Sequence, residues 1–254
     1  MSTLLTRRKM IRSAIAAMGT LSASGVAAYL ANRYGLVPPD HGGLYGVGET
    51  LTYAAHRVLL SRHPLAREFS RSQISKNFPA FGTTLPRVLD YVQQMADGFE
   101  DWRLPVDGLV ERPYAFSLAE LQEFPPRTQV TEHICEEGWS AIGEWTGAPL
   151  SRVLNAVGVL PEAKYVVFEC VDNDWGSLDM ADAWHPQTLL AYGMNGGDLP
   201  VPHGAPVRLR VERQLGYKSL KYLSRITVTD SVKNIGKGMG GADPEAGYSW
   251  YAGI

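Results

Sequence analysis

Short apolar strands alternate irregularly with short helices from Trp102 onward, and this pattern constrains the fold more than any other feature of the chain. Alternating or continuous apolar residues predict strands at residues 130–135, 165–171, 206–212 and 222–229. Regular βαβ spacing is missing, which favours an α+β fold over a parallel α/β fold. The 26 glycines and 16 prolines also favour a loop-rich protein that contains β-structure, and not a helical bundle.

Local signals predict a hairpin and several short helices. Residues 103–110 predict two strands joined by an Asp-Gly turn. Ser117, with Glu120 three residues later, forms a capping-box pattern and predicts the start of a helix. Residues 149–158 and 49–61 carry apolar side chains at helical spacing, and the first of these segments ends in glycine.

The N-terminal segment resembles an export signal. Arg7-Arg8, followed by hydrophobic residues, is typical of the twin-arginine route. Residues 13–31 carry no charge but are diluted with Ala, Ser, Gly and Thr, which makes them weakly apolar for a spanning helix. No convincing cleavage site precedes Asn32, so an uncleaved membrane anchor stays open as an alternative. We therefore expect a periplasmic location.

Charge and length limit the function classes. Apart from five basic residues before residue 40, the chain has 19 basic and 26 acidic residues. An acidic body argues against nucleic-acid binding, which needs a basic surface. The length of 254 residues is ample for a hydrophobic core. We divide the chain into a signal or anchor (1–34), a linker with an N-terminal helix (35–74) and one main domain (75–254).

Cys135 has the most chemically informative surroundings. His133 precedes it by two residues, and two glutamates and a Gly-Trp-Ser turn follow it. A thiolate suits a soft or redox-active metal, and we expect His133 to favour deprotonation of the thiol. Cys170 lies in an apolar strand pattern, where cysteine usually acts as a small hydrophobic residue. A disulfide between the two cysteines is the alternative for an exported protein, and it excludes a ligand role for Cys135.

The surroundings of Cys135 and six further segments resemble, in the same order, motifs of the sulfite oxidase superfamily of molybdenum-cofactor oxidoreductases. The segments are residues 76–79, 107–113, 143–150, 183–191, 195–209 and 216–222. The chain looks most similar to the periplasmic methionine-sulfoxide-reductase-like branch, whose members bind molybdopterin and lack a heme domain. The resemblance implies a molybdopterin-binding fold of the sulfite oxidase type, with mixed β-sheets or a barrel and short helices.

The resemblance also implies site residues. Cys135 would be the catalytic residue and the one protein ligand to molybdenum. The implied cofactor contacts are Asn77, Phe78, His133, His185, Arg208, Gly216, Tyr217, Lys218 and Lys221. Arg208 offers a planar fork for phosphate or pterin oxygens, and Lys218 offers a point charge. For His133, a cofactor contact and a surface position are equally open.

The implied activity is a two-electron oxygen-atom transfer on a small oxide or sulfoxide, with a molybdenum–molybdopterin cofactor. The bacterial branch generally has the form without a nucleotide, but the sequence leaves this point open. Sulfite is not the favoured substrate, because Lys76, Asn77 and Phe78 stand where the sulfite-oxidising branch has a basic residue, asparagine and histidine. The chain has no C-x-x-C-H heme motif, so the electrons must come from a partner. In this family the partner is usually a membrane cytochrome b.

Other classes find less support in the sequence. A zinc hydrolase would need a motif such as H-E-x-x-H or C-x-x-C, and a serine hydrolase would need G-x-S-x-G; the chain contains none of them. A non-catalytic periplasmic binding or electron-relay module is the remaining alternative. Four tryptophans lie in the half of the chain that carries the proposed site, and they line either an access funnel or the core. They are Trp139, Trp145, Trp175 and Trp184.

Overall fold

The computed structural model describes residues 46–60 and 65–254. The predicted export signal and the proline-rich start of the linker lie outside the described residues. None of the helices within the described ranges is long and apolar enough to cross a membrane. The helices are α1 (Gly46–Leu60), α2 (Leu89–Ala96), α3 (Leu118–Glu123), α4 (Leu150–Val157), α5 (Met180–Ala183) and α6 (Ala242–Glu245).

Ten strands form two separate sheets in the described part of the chain. The strands are β1 (Arg103–Gly108), β2 (Tyr114–Ser117), β3 (Arg127–Ile134), β4 (Ser140–Pro149), β5 (Tyr165–Cys170), β6 (Trp175–Asp179), β7 (Leu189–Met194), β8 (Gly197–Asp198), β9 (Arg208–Arg210) and β10 (Leu223–Thr229). The first sheet has the order β2-β1-β10-β5-β6, and only its β1–β10 pair is parallel. The second sheet is antiparallel, with the order β3-β4-β7-β8 and with β9 paired to β7. Mixed sheets with short helices confirm the predicted fold class, but neither sheet closes into a barrel.

One hydrophobic core joins the two sheets. Val106, Phe168 and Ile226 contribute from the first sheet, and Leu190 and Leu209 contribute from the second. Helix α4 adds its apolar face, which consists of Leu150, Val153, Leu154 and Val157. All of these side chains are almost completely buried. Leu209 anchors β9 in this core, directly beside Arg208.

Several local predictions are confirmed. Ser117 Oγ accepts a hydrogen bond from the Glu120 backbone N–H at the start of α3, and the Glu120 carboxylate accepts one from the Ser117 backbone N–H, so both halves of the capping box are present. Helix α4 ends at Gly158, and α1 covers the segment predicted to be helical up to Leu60. The strand predicted at 206–212 is shorter and comprises only Arg208–Arg210.

The predicted Asp-Gly turn is wrong. Strand β1 runs through Asp107 and Gly108, which pair in parallel register with Thr227 and Val228 of β10. The Asp107 carboxylate accepts hydrogen bonds from Thr227 Oγ1 at 2.8 Å and Arg225 Nη1 at 2.7 Å. These contacts with a strand about 120 residues away outweigh the local turn preference of the dipeptide, so the chain reverses only after Gly108.

Candidate active site

Cys135 lies immediately after β3, in the loop that joins β3 to β4. The backbone N–H of Cys135 donates to Trp139 O at 2.9 Å, and that of Gly138 donates to Cys135 O at 3.1 Å. Gly138 has φ +90°, a conformation that other residues rarely adopt, so the turn requires glycine here. The thiol is only 4% exposed but lines a cavity of about 380 Å³. The loop therefore presents one buried sulfur to a half-enclosed space.

Neighbouring groups do not activate this thiol. Burial raises the pKa of Cys135, and the Glu136 carboxylate, 3.6 Å from Sγ, also raises it; together these effects outweigh a hydrogen bond from the Glu137 backbone, which lowers it. His133 offers no compensating positive charge, because burial and the nearby guanidinium groups of Arg210 and Arg208 lower its pKa to about 2. The prediction that His133 favours deprotonation of Cys135 is therefore wrong for the protein without its ligand.

His133 is a buried residue that lines the cavity, and the surface position considered above is excluded. Its Nδ1 lies 2.8 Å from Arg210 Nη1. Arginine only donates, so Nδ1 is the acceptor and the proton of the neutral ring is on Nε2. Arg210 is fixed in turn by two hydrogen bonds to Glu212, at 3.0 and 2.7 Å, and by the Trp145 ring 4.3 Å away. This chain of contacts sets the tautomer of His133.

Aromatic rings form one wall of the cavity. Phe78 lies 5.6 Å from the His133 ring, 6.2 Å from the Trp139 ring and 5.6 Å from the His203 ring, between ring centroids. The Phe78 segment is held against β4 by Ser75, whose backbone N–H donates to Ile142 O at 2.9 Å and whose Oγ accepts from Ile142 N at 2.9 Å. Phe78 is thereby brought to the site from a segment outside both sheets.

Two basic side chains form a second wall. Arg208, 5% exposed, donates to His203 O at 2.9 Å and Ser219 O at 2.6 Å, while its buried Nε has no hydrogen-bond partner. Lys221 donates to Phe81 O at 2.6 Å, to Pro202 O at 3.2 Å and to Thr83 O. Burial lowers the pKa of Arg208 to about 9 and that of Lys221 to about 8, so both remain cationic at neutral pH. Among the described residues, neither forms an ion pair with a carboxylate.

Gly216 and Tyr217 complete the predicted residues around the cavity. A Cβ atom at Gly216 would lie 2.5 Å from His133 Nε2, so only glycine allows this close approach. Tyr217 is anchored by its hydroxyl, which donates to Ser249 O at 2.6 Å. The structure thus brings together seven of the ten predicted residues. They are Phe78, His133, Cys135, Arg208, Gly216, Tyr217 and Lys221.

The other three predicted residues do not line this cavity. Asn77 is exposed. His185 is buried, and its Nδ1 accepts from Gln187 N at 3.2 Å. Lys218 is buried on another side of the turn, where its Nζ donates to Ser177 O at 2.8 Å and Trp250 O at 2.9 Å. Among the four tryptophans, Trp139 lines the cavity, Trp145 is fully buried behind it, and Trp184 is partly exposed.

The sequence analysis missed an acidic wall of the same cavity. Asp172 and Asp174 come from the turn between β5 and β6, Asp243 from α6, and Glu136 follows the cysteine. Three of these residues are remote from Cys135 in sequence, and aspartates in turns are common, so no local signal identified them. Only Glu136 was visible in the sequence as a neighbour of the thiol.

The second cysteine has a different environment. Both cysteines are free thiols in the described part of the chain, which excludes the disulfide alternative for this structure. Cys170 belongs to the hydrophobic core, and burial raises its pKa well above the usual value. Cys170 therefore behaves as the predicted small hydrophobic residue, and Cys135 is the thiol that reaches the cavity.

These residues fit a molybdopterin cofactor. The pterin phosphate is anionic, and Arg208 and Lys221 are cations without carboxylate partners among the described residues. Arg208 also keeps a buried Nε–H free of any protein acceptor. Cys135 supplies a soft ligand. Within residues 46–60 and 65–254, no three His, Cys, Asp or Glu side chains converge as a metal cage, so a metal at Cys135 needs ligands that the described side chains do not supply.

Comparison with known proteins identifies the class. Residues 91–235 match a family described as oxidoreductase molybdopterin binding domain. A protein of Azospira oryzae, named as subunit YedZ1 of a protein-methionine-sulfoxide reductase, is 40% identical over 198 residues, which cover 77% of this chain and 70% of that protein. The crystal structure of the sulfane dehydrogenase SoxCD from Paracoccus pantotrophus is similar with a TM-score of 0.50 and 30% identity, over 52% of this chain and 39% of that one.

The cavity and the matches define a molybdenum-dependent oxidoreductase. The chain belongs to the oxidoreductase molybdopterin-binding domain family, within the sulfite oxidase superfamily. It spans about two fifths of the SoxCD chain. A thiol and a cationic wall that face the same cavity agree with membership of this family.

Proposed function

We propose that this enzyme reduces sulfoxides, methionine sulfoxide in particular, by transfer of one oxygen atom and two electrons. The observation that carries the proposal is the single buried thiol of Cys135 on a cavity whose cations, Arg208 and Lys221, have no carboxylate partner among the described residues. The similarity to a protein named as a methionine-sulfoxide reductase subunit supports this substrate class. The overall reaction consumes a sulfoxide, two electrons and two protons, and yields a thioether and water.

When bound, molybdopterin supplies a molybdenum centre that exchanges an oxygen atom and two electrons with the substrate. The residues of the chain bind the cofactor and orient it. Cys135 acts as the protein ligand to the metal, and Arg208 and Lys221 bind the anionic parts of the cofactor. His133 contributes a neutral Nε2–H donor, with its orientation fixed by Arg210. Phe78 and Trp139 restrict the access of water and offer apolar surface to a thioether.

We further propose that the enzyme works in the periplasm after twin-arginine export, with electrons from a membrane cytochrome b. The sequence pattern at Arg7-Arg8 and the missing heme motif support this arrangement. The name of the similar Azospira protein describes it as a subunit, which agrees with electron delivery by another protein. The cavity of about 380 Å³ must hold the cofactor as well, so little space is left for the substrate. The reacting group is therefore a small oxide or the sulfoxide group of a larger molecule.

The test is molybdenum analysis combined with activity. Wild-type protein, produced with its export signal, should contain about one molybdenum per chain and should reduce methionine sulfoxide with a reduced viologen dye as donor. Cys135→Ser should lower kcat by at least about 100-fold, because a hydroxyl is a poorer and harder ligand than a thiolate.

Cys170→Ser is the matched control, since it makes the same change at the thiol in the core. It should keep molybdenum and activity. Its free energy of unfolding should fall by about 1–2 kcal/mol, because the substitution buries a hydroxyl. Wild-type protein that contains the metal but reduces neither sulfoxides nor other small oxides would favour an electron-relay module.

A further inference from the structure

The cavity has two walls of opposite charge. Arg208 and Lys221 form the basic wall, and Glu136, Asp172, Asp174 and Asp243 form the acidic wall. All four acidic side chains are partly exposed, so they face the space that the cavity opens to solvent. The two histidines that line the cavity add no charge at neutral pH, because burial lowers the pKa of His133 to about 2 and that of His203 to about 4.

The acidic groups lie close enough to repel one another. Burial, together with repulsion from Asp243 and Asp172, raises the pKa of Asp174 to about 7, so this carboxyl is about half ionised at neutral pH. Burial also raises the pKa of Asp243, with Glu136 as the next cause. Of the neighbouring cations, Lys221 faces Asp174 and Lys218 faces Asp243. Neither lysine is within 4 Å of a carboxylate oxygen in the described structure.

The cavity is a ligand site on separate grounds, namely the thiol of Cys135 and the buried Arg208, whose Nε has no partner. In the proposed function, the anionic cofactor neutralises Arg208 and Lys221. The charge left facing the substrate is then that of the acidic wall. A negative field in a half-enclosed cleft concentrates cations and repels anions.

We propose that Glu136, Asp172, Asp174 and Asp243 select substrates by charge, so that this site favours methionine sulfoxide flanked by Lys or Arg in a peptide and disfavours anionic oxides. This inference rests on the proposed function and adds the substrate class that the site prefers. It also gives a physical reason why the site is unsuited to sulfite. This reason does not depend on the loop around Asn77. It also assigns a role to the three aspartates that line the cavity.

The experiment uses the molybdenum-loaded full chain and three blocked tripeptides, in which methionine sulfoxide is flanked by two Lys, two Ala or two Glu. We expect kcat/KM to decrease in that order, by about tenfold from the Lys to the Glu peptide at low ionic strength. The difference should lie mainly in KM. It should shrink several-fold when salt is raised to about 0.5 M, because salt screens partly exposed charges. Dissociation constants of the corresponding thioether peptides, measured by calorimetry, should follow the same order.

Variants locate the effect. Asp172→Asn and Asp243→Asn should each reduce the Lys-to-Glu ratio by about two- to threefold, whereas Glu162→Gln, an exposed acid in the turn before β5, should leave the ratio unchanged. Equal kcat/KM for the three peptides, or a preference for the Glu peptide, overturns the inference and leaves the proposed function intact. Failure to reduce any of the three overturns both. The three peptides measured with the wild-type protein test the inference even when a variant does not fold.

Discussion

Two buried arginines in this protein have opposite environments. Arg57 on α1 donates to Asp182 Oδ1 at 2.7 Å and forms an ion pair with Asp179. In the described structure the hydrogen-bond acceptors of Arg208 on β9 are carbonyl oxygens, and the nearby Glu212 is already paired with Arg210. Each has a buried Nε without a partner, so the difference lies in the counter-charge.

The difference separates a structural charge from a ligand-binding charge. Burial lowers the pKa of Arg57, but Asp179 and Asp182 outweigh burial and raise it. At Arg208, burial and the neighbouring Arg210 both lower the pKa, to about 9. A buried cation without an anion is costly, and proteins retain such groups where function requires them. In the proposed function the cofactor supplies the missing anion at Arg208, whereas at Arg57 the protein supplies it.

The largest expected effect is at Arg57. Arg57→Met leaves Asp179 and Asp182 buried without their cation, and we expect the free energy of unfolding to fall by about 3–5 kcal/mol in urea titrations. Arg225→Met is the control, because its ion pair with Asp107 is partly exposed. That variant should lose less than about 1 kcal/mol. Equal losses in the two variants would mean that the ion pairs of Arg57 contribute no more to stability than a surface ion pair.

A second prediction uses pH and His133. Its folded-state pKa, about 2, lies below the usual 6.5, so the unfolded chain binds the proton first as the pH falls. His133 therefore stabilises the protein fully above pH 6.5 and progressively less below it. Its contribution to the free energy of unfolding should decrease by up to about 1.4 kcal/mol per pH unit between pH 6.5 and 4.5. The difference between wild type and His133→Gln isolates this contribution, and a difference that does not change with pH contradicts it.

Much of the fold and part of the site could be predicted from the sequence. Local rules worked where local contacts dominate, as in the Ser117 cap, the glycine that ends α4, and the strand that ends just before Cys135. The Asp107-Gly108 turn failed because β1 pairs with β10 about 120 residues away. Sequence periodicity carries no information about such a partner.

The electrostatics of the site were the least predictable part. His133 is two residues from Cys135, but burial and the guanidinium groups of Arg210 and Arg208, more than 70 residues further along the chain, keep its ring neutral. The acidic wall likewise joins a β-turn, a short helix and the cysteine loop. Lys218 and Lys221 are neighbours in one matched segment, yet only Lys221 reaches the cavity, because Lys218 is turned toward Ser177 and Trp250.

The smallest expected change in stability is at Arg208, and it completes the comparison with Arg57. Arg208→Met removes donors from His203 O and Ser219 O but also removes a buried cation without a counter-charge. These effects oppose each other, so the cofactor-free protein should unfold within about 1 kcal/mol of wild type. Molybdenum and pterin content after purification should nevertheless fall at least about tenfold, because one charge-assisted contact to the cofactor is lost. A loss of 3 kcal/mol or more without cofactor would make Arg208 a structural residue like Arg57, and unchanged cofactor content would remove it from the site.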